Sequence, residues 1–413
     1  MTDGSAKARW RLPPWAMGLA IAPMGCYYGF ISTAMGILLR ARGVPVERID
    51  YISAIAFSPS FWAFLLCPIL DVRFSKRAYA VFFAVVAAVC LGVTTLLTAN
   101  LTAFTVVLTV GCAAAVIFGN AHQGWMPDVI DDSHYSHVGA TSNVANLGAA
   151  GAFTWLAVYL VRHLTAFPAA VLLGIVMAAP TVMLFFIPLP SQPTRRASQV
   201  FSSFFRDLYT VCRRRDCVIG LICFAAPTAC FALTNSFSAL GSDFRVSEAR
   251  VTAINGTGVA IACSTGCLVG IWFCNRFARR NVYIVTGFLG AAAALALLGT
   301  PHTLAWYAGG VLIYNLFQGV SYTAFSSFCY EIVGPASPLA GTQMALLAAA
   351  ANLPISYMTA IEGHAHSRFG LSGMLATDAV STLIVGTTVL FALRHTRLGR
   401  VPKASSTVNR SRR

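Results

Sequence analysis

Twelve stretches of mostly apolar residues, each close to the ~20 that a helix needs to cross a bilayer, fill this chain of 413 residues. They lie near 15–39, 49–70, 78–98, 103–126, 139–161 and 168–189, then near 217–240, 251–274, 282–299, 303–328, 339–361 and 371–393. Barrel strands would alternate polar and apolar residues over about ten positions, and these runs do not. Backbone groups in hydrocarbon must be satisfied within their own segment, so the runs are helices. With 57% hydrophobic and 10% charged residues, the chain has too little polar surface to coat a water-soluble globule. The expected fold class is an all-α membrane protein, with twelve transmembrane helices in two pseudo-symmetric six-helix bundles.

The duplication is written in the sequence. Arg73-Phe74-Ser75-Lys76-Arg77 returns as Arg276-Phe277-Ala278-Arg279-Arg280, offset by 203 residues. Asp128-Val129-Ile130 faces Glu331-Ile332-Val333 at the same offset, and Gly139 faces Gly341 at 202. A repeat of that length means two copies of one large unit. The long polar segment between them carries Arg195, Arg196, Arg206, Arg213, Arg214 and Arg215. The expected organisation is a first bundle over 1–189, a basic linker over 190–216, a second bundle over 217–393 and a basic, disordered tail over 394–413.

A net charge of +15 in a soluble protein would point to nucleic acid, but here its placement reads as topology. With the amino terminus inside, the termini, the linker and the loops after spans two and eight hold 22 of the 29 Lys and Arg. The positive-inside bias sets both termini and the linker in the cytoplasm. The first apolar run is too long for a signal h-region and reads as a retained anchor.

Chemistry-bearing motifs of enzymes are missing. No Ser-His-Asp order, P-loop or Gly-rich nucleotide fingerprint occurs. Most of the twelve cysteines sit singly in spans as small hydrophobes, and Cys263 and Cys267 share a helical face without further ligands nearby. Two loop clusters, Asp131, Asp132, His134 and His137, and Glu362, His364 and His366, could bind zinc, but polar residues normally collect at helix ends. No enzyme, catalytic residue, metal or cofactor is expected.

Between spans two and three, Asp71, Arg73, Lys76 and Arg77 resemble the charged positions of the G-x-L-x-D-R-x-G-R-R loop of the major facilitator superfamily. Pro68 and Ser75 stand where that motif has glycines, and Cys274 falls where the second copy would repeat Asp71. The resemblance implies a latch between the cytoplasmic helix ends. His122-Gln123-Gly124-Trp125-Met126-Pro127-Asp128 is similar to the Q-D-I-x-x-D segment of the AmpG-type muropeptide permease and acetyl-CoA transporter branch, with Gly124 in place of its first acid. Gly341-Thr342-Gln343-Met344-Ala345-Leu346-Leu347 resembles that branch's T-Q-x-A-L-L segment. Opposite charge makes Asp128 and Glu331 the expected partners of the loop arginines when the inner gate closes. Small residues on helix five (Gly139, Ala140, Gly148, Gly151) and helix eleven (Ala345, Ala348 to Ala351) suit either a sliding or a static seam.

Polar groups inside spans mark a pathway. The superfamily resemblance implies that helices one, four, seven and ten line the central cavity, which selects Tyr28, His122, Gln123, Asn235, Asn315 and Gln318 for solute contact. Proton coupling is assigned to His122, on its intrinsic pKa, and to Asp378. The expected function is a secondary active transporter, proton-coupled for uptake of a muropeptide or similar polar organic solute. The alternatives are a siderophore or acetyl-CoA-like anion as cargo, or a membrane-bound enzyme using the loop histidines. The expected partners are a small-molecule solute, protons and the lipid bilayer, without nucleic acid. A monomer is expected, and the resemblance implies a bacterial inner membrane.

Overall fold

A computed structural model describes residues 12–72, 74–189, 206, 209–210, 213–335, 337 and 339–393. Arg73, most of the linker and the 394–413 tail lie outside the described residues. Helix follows helix: α1 (Pro14–Arg40), α2 (Val46–Phe57), α3 (Lys76–Leu96), α4 (Leu101–Val129), α5 (Tyr135–His163) and α6 (Ala166–Phe186). After the linker come α7 (Arg215–Ala225), α8 (Glu248–Arg276), α9 (Arg279–Leu298) and α10 (Leu304–Val333). The last element, Ala340–Leu393, is two rods, α11 (340–369) and α12 (371–393), that meet at Gly370. Gly370 has φ 63 and ψ −156, a conformation that costs a glycine little and any other residue much. Helical structure falls in every window expected from the sequence.

Eight helices among the described residues are long and apolar enough to cross a membrane. Those that fall short show why. Beyond Phe57, α2 passes through the short turns Pro59–Trp62, Ala63–Leu65 and Cys67–Asp71, where Pro59 and Pro68 remove backbone donors. Pro227 follows the end of α7, and the chain turns at Phe231, which adopts a left-handed φ of 52, into a tight 3-10 turn at Ala232–Asn235. In α1 the ladder widens to a π turn at Phe30–Ala34. Shifted by one repeat, that turn falls on 233–237, so the irregularities of α1 and α7 occupy equivalent places. α10 is long but carries Asn315, Gln318, Ser321, Thr323, Ser326 and Ser327.

Local caps start the rods that follow the basic loops and turns, each side chain satisfying an amide that the first helical turn leaves without a partner. Ser75 Oγ accepts the Ala78 amide at 3.2 Å at the head of α3. Asn100 Oδ1 accepts the Ala103 amide at 3.1 Å at the head of α4. Within each half, glycine lets two rods cross with backbones touching. A Cβ on Gly25 of α1 would lie 2.2 Å from the Asn146 carbonyl of α5, and one on Gly319 of α10 would lie 2.0 Å from the Cys263 carbonyl of α8.

The halves join by matching exchanges: α5 packs on α8 and α10, and α11 packs on α4 and on the turns that end α2. One apolar core takes in residues of both halves near the basic loops, Trp125, Tyr135 and Val138 with Phe328, Tyr330 and Met344, and continues through the second half to Phe244, Leu297 and Tyr307. Toward the opposite end, the first half closes a core of its own around Tyr27, Phe30, Phe104 and Phe153. The core shared by the two bundles thus includes the basic end, while this second core belongs to the first half alone.

Candidate functional site

The seal at the basic end is made by two seams. In the first, the Asp71 carboxylate crosses from the end of the second span to the first turn of α11. It accepts the Gly341 amide at 3.2 Å, the Thr342 amide at 3.2 Å and the Thr342 hydroxyl at 2.7 Å. First-turn amides have no partner inside their own helix, and the helix dipole favours an anion there. Burial pushes the Asp71 carboxyl up to about 6, while Thr342, Lys76 and the two amides oppose that rise. As a carboxylate it can serve all three donors. Gly124 and Gly341 bring α4, α11 and the second span together, since a Cβ on either would lie about 3 Å from atoms across the seam.

In the second seam Ser136, at the head of α5, donates its hydroxyl to the Asn275 side-chain oxygen of α8. Arg279 reaches across from α9 to the Asp132 carboxylate and donates to the Asp132 carbonyl at 2.7 Å. The same guanidinium holds Glu331 at 3.3 Å and lies over the Tyr135 ring at 5.2 Å. About two turns into α5, the Asn143 amide donates to the Tyr322 carbonyl at 3.2 Å and the Ser326 hydroxyl at 2.9 Å on α10.

The residues expected to form a latch thus gather at this end. Lys76 is buried and donates to Asp128 at 2.9 Å and to the Gly124 carbonyl at 2.8 Å. Arg77 lies over the Trp125 ring and donates to the Ile187 carbonyl. Lys76 with Asp128 and Arg279 with Glu331 are the same pair, displaced by one repeat of the sequence. Glu331 meets a loop arginine; Asp128 meets a lysine of its own half. Arg73 is outside the described residues.

The residues expected to meet solute divide into two layers. Asn315 on α10 accepts the Thr234 hydroxyl at 3.2 Å, and Gln318 accepts it at 3.3 Å. One hydroxyl hydrogen serves only one of them at a time, so acceptor capacity is left over for a ligand. Gln318 donates to the Tyr322 hydroxyl at 3.1 Å, and the exposed Asn235 donates to Thr359 of α11 at 3.4 Å. In the first half, the half-buried Tyr28 shares a 3.3 Å hydrogen bond with Ser60, whose carbonyl accepts Asn352 of α11 at 3.5 Å. At 1.5 Å per residue, Tyr28, Asn315 and Gln318 lie ~20–27 Å along their helices from the basic end.

His122 and Gln123 belong elsewhere. They lie six to seven residues from the end of α4. At the rise of an α-helix that is ~10 Å from the basic end. His122 has no exposed surface, and its Nε2 is 2.9 Å from the Met17 carbonyl of α1. These two residues sit with the seal rather than with Asn235, Asn315 and Gln318. Asp378 of α12 is buried under the Tyr314 hydroxyl, which it accepts at 3.2 Å.

The two loop clusters also come apart. Arg279 takes Asp132, while His366 lies 3.5 Å from Asp243. α11 runs on to 369, past the expected end at 361, so Glu362 is a fully buried helix residue and not a loop ligand. Sequence reasoning missed Thr234, Ser60, Tyr322 and Thr359. Hydroxyls in apolar helices usually bond to the carbonyl one turn back, as Thr105, Thr109 and Thr388 do here, and nothing in the sequence separates the two kinds.

The comparisons with known proteins agree with this architecture. Residues 16–359 match the model of the Major Facilitator Superfamily. A search of curated proteins gave no significant match. Among solved structures, the fold is similar to that of FucP, the E. coli fucose:proton symporter, in its outward conformation, with a TM-score of 0.66 and 15% identity over 93% of this chain and 99% of that one. It is similar to the human organic anion transporter MFSD10 (TETRAN), with a TM-score of 0.67 and 15% identity over 93% of this chain and 99% of that one. The proton:xylose symporter XylE matches with a TM-score of 0.67 and 11% identity over 94% of this chain and 96% of that one. Identities this low speak for the fold alone. On the family match, the chain belongs to the Major Facilitator Superfamily, a superfamily of membrane transporters.

Proposed function

We propose that this protein is a secondary active transporter that takes up a polar organic solute with protons, a muropeptide being the preferred class. The observation that carries this reading is the polar layer of Tyr28, Thr234, Asn235, Asn315 and Gln318, placed above a sealed end. Its groups are amides and hydroxyls, which suit the hydroxyl and amide edges of an amino sugar or peptide. The positive-inside bias puts the basic end in the cytoplasm, so on this reading the sealed face is the inner one, and the branch resemblance points to a bacterial inner membrane. Transport follows when the two bundles rock about the polar layer and the Asp71 and Arg279 seams part.

FucP and XylE, both described as proton symporters, share the fold and support proton coupling as the mode. Of the two titratable groups assigned to coupling, Asp378 is favoured over His122, because Met17 already holds the imidazole. The test is counterflow of labelled muropeptide into proteoliposomes. Accumulation driven by an inward proton gradient, weakened by Asn315→Ala, is the expected result. Absence of counterflow while a charged siderophore or acetyl-CoA exchanges would overturn the substrate class.

A further inference from the structure

Glu362 on α11 is fully buried, and neither of its carboxyl oxygens meets a hydrogen-bond donor. Opposite it on α12 stands Asp378, 2% exposed, whose two oxygens lie 3.2 and 3.3 Å from the Tyr314 hydroxyl. A phenol has a single hydrogen to give. The two carboxyl groups act on each other, and two carboxyls in contact form a bond only when one of them carries a hydrogen. Each lies eight residues from Gly370. Along an α-helix that is ~12 Å from the mouth opposite the basic end.

The surroundings offer no counter-charge. The titratable groups that act on the pair are Tyr314 on α10 and Cys230 in the break after α7, while His366, one turn beyond Glu362 on α11, is turned to Asp243 at 3.5 Å. Among the described residues, no Lys, Arg or His acts on either carboxyl. α9 contributes only Gly287, Gly290 and Ala291 to the crevice beside Asp378. Two like charges in contact, away from water and without a cation, are strongly unfavourable. A proton is the ligand that removes the repulsion and supplies the donor that Glu362 lacks.

We propose that Glu362 and Asp378 share one proton, oriented by Tyr314, and that this pair is the proton-binding site of the transport cycle. The second clause rests on the proton-coupled reading above; the first does not. The broken segment after α7 links the pair to the solute layer. Phe231 stacks edge-on against Tyr314 at 5.0 Å, and Thr234 and Asn235 follow within four residues. On α11, Thr359, the partner of Asn235, lies one turn before Glu362. A solute that draws Thr234, Asn235 and Thr359 together moves both segments that enclose the proton, which leaves to water when the pair is exposed.

The test is infrared spectroscopy of the purified protein in lipid at neutral pH without solute, with H2O exchanged for D2O. Wild type is expected to show a protonated-carboxyl stretch that shifts in D2O. That band is expected to be lost in both Glu362→Gln and Asp378→Asn, because one proton belongs to both groups, and to shift in Tyr314→Phe, which removes only a hydroxyl. A band unchanged in both carboxyl variants overturns the proposal, as does a band displaced when sodium replaces potassium. Tyr314→Phe keeps the test decisive should a carboxyl variant fail to fold, since a band insensitive to it also overturns the proposal. If muropeptide counterflow fails while the band behaves as stated, the substrate reading falls and the proton site stands.

Discussion

The seam between the second span and α11 and the seam between α8 and α5 occupy equivalent places in the duplicated fold, yet they are closed by different chemistry. In the first, a buried carboxylate receives two amides and a hydroxyl from a helix start. In the second, where Cys274 replaces the acid, the neighbouring Asn275 takes one neutral hydrogen bond from Ser136, and charge is supplied by Arg279. Within each half the pairs Lys76 with Asp128 and Arg279 with Glu331 have kept their positions. Duplication has preserved what holds a bundle together and let the locks between bundles diverge. The two seams therefore contribute unequally to sealing, with the acid seam the stronger.

That inequality can be broken by removing one lock at a time and measuring opening. The readout is the rate at which a maleimide reaches a cysteine placed by Ser142→Cys, a buried α5 position near the seams, with the twelve native cysteines replaced. Asp71→Ala strips the acceptor from three donors and is expected to weaken sealing by about 2 kcal/mol, roughly a thirtyfold rise in labelling. Asp71→Asn keeps an oxygen at the helix start and is expected to fall well short of that. Asp132 is nearly half exposed, so its attraction to Arg279 is screened. Arg279→Ala is accordingly expected to cost ~1 kcal/mol, about fivefold. Ser136→Ala, which loses one neutral bond, is expected to give ~0.5–1 kcal/mol, about threefold. A Ser136→Ala effect equal to that of Asp71→Ala would remove the claimed asymmetry.

The solute layer sharpens the same contrast between regions. Thr234→Val removes the hydroxyl shared by Asn315 and Gln318 and is expected to weaken solute binding in the counterflow assay by about 1 kcal/mol, roughly fivefold. It is expected to leave maleimide labelling at the basic end unchanged. An equal effect on both readouts would mean that the layer is part of the seal.

How much of this could be read in advance follows from where charge and hydrogen bonds sit. The placement of Asp71, Lys76, Asp128 and Glu331 at helix ends was legible because charge is scarce in so apolar a chain. The repeat was legible because basic loops recur at a fixed offset. His122 and Asn315 looked alike in sequence, as polar residues in helices of one repeat family, yet their distances from the basic end differ by several helical turns. Depth along a rod depends on where the rod stops, and helix ends are the least certain part of such a reading. Glu362 was placed in a loop for the same reason: α11 runs two turns beyond the expected end. Hydroxyl partners such as Thr234 and Ser60 were hidden because only the packed structure tells a hydroxyl bonded to its own helix from one turned toward a neighbour.

The central claim, a bundle pair sealed at the basic end and able to part there, is tested most directly by electron-spin distance measurement. Spin labels go on Phe74→Cys and Phe277→Cys, exposed positions related by the repeat on opposite halves of that end, with the protein in lipid. The account predicts a short-distance population in the resting protein and a second, longer one that grows in Asp71→Ala and on adding transported solute under a proton gradient. A single distance, unmoved by the substitution and by solute, would contradict it.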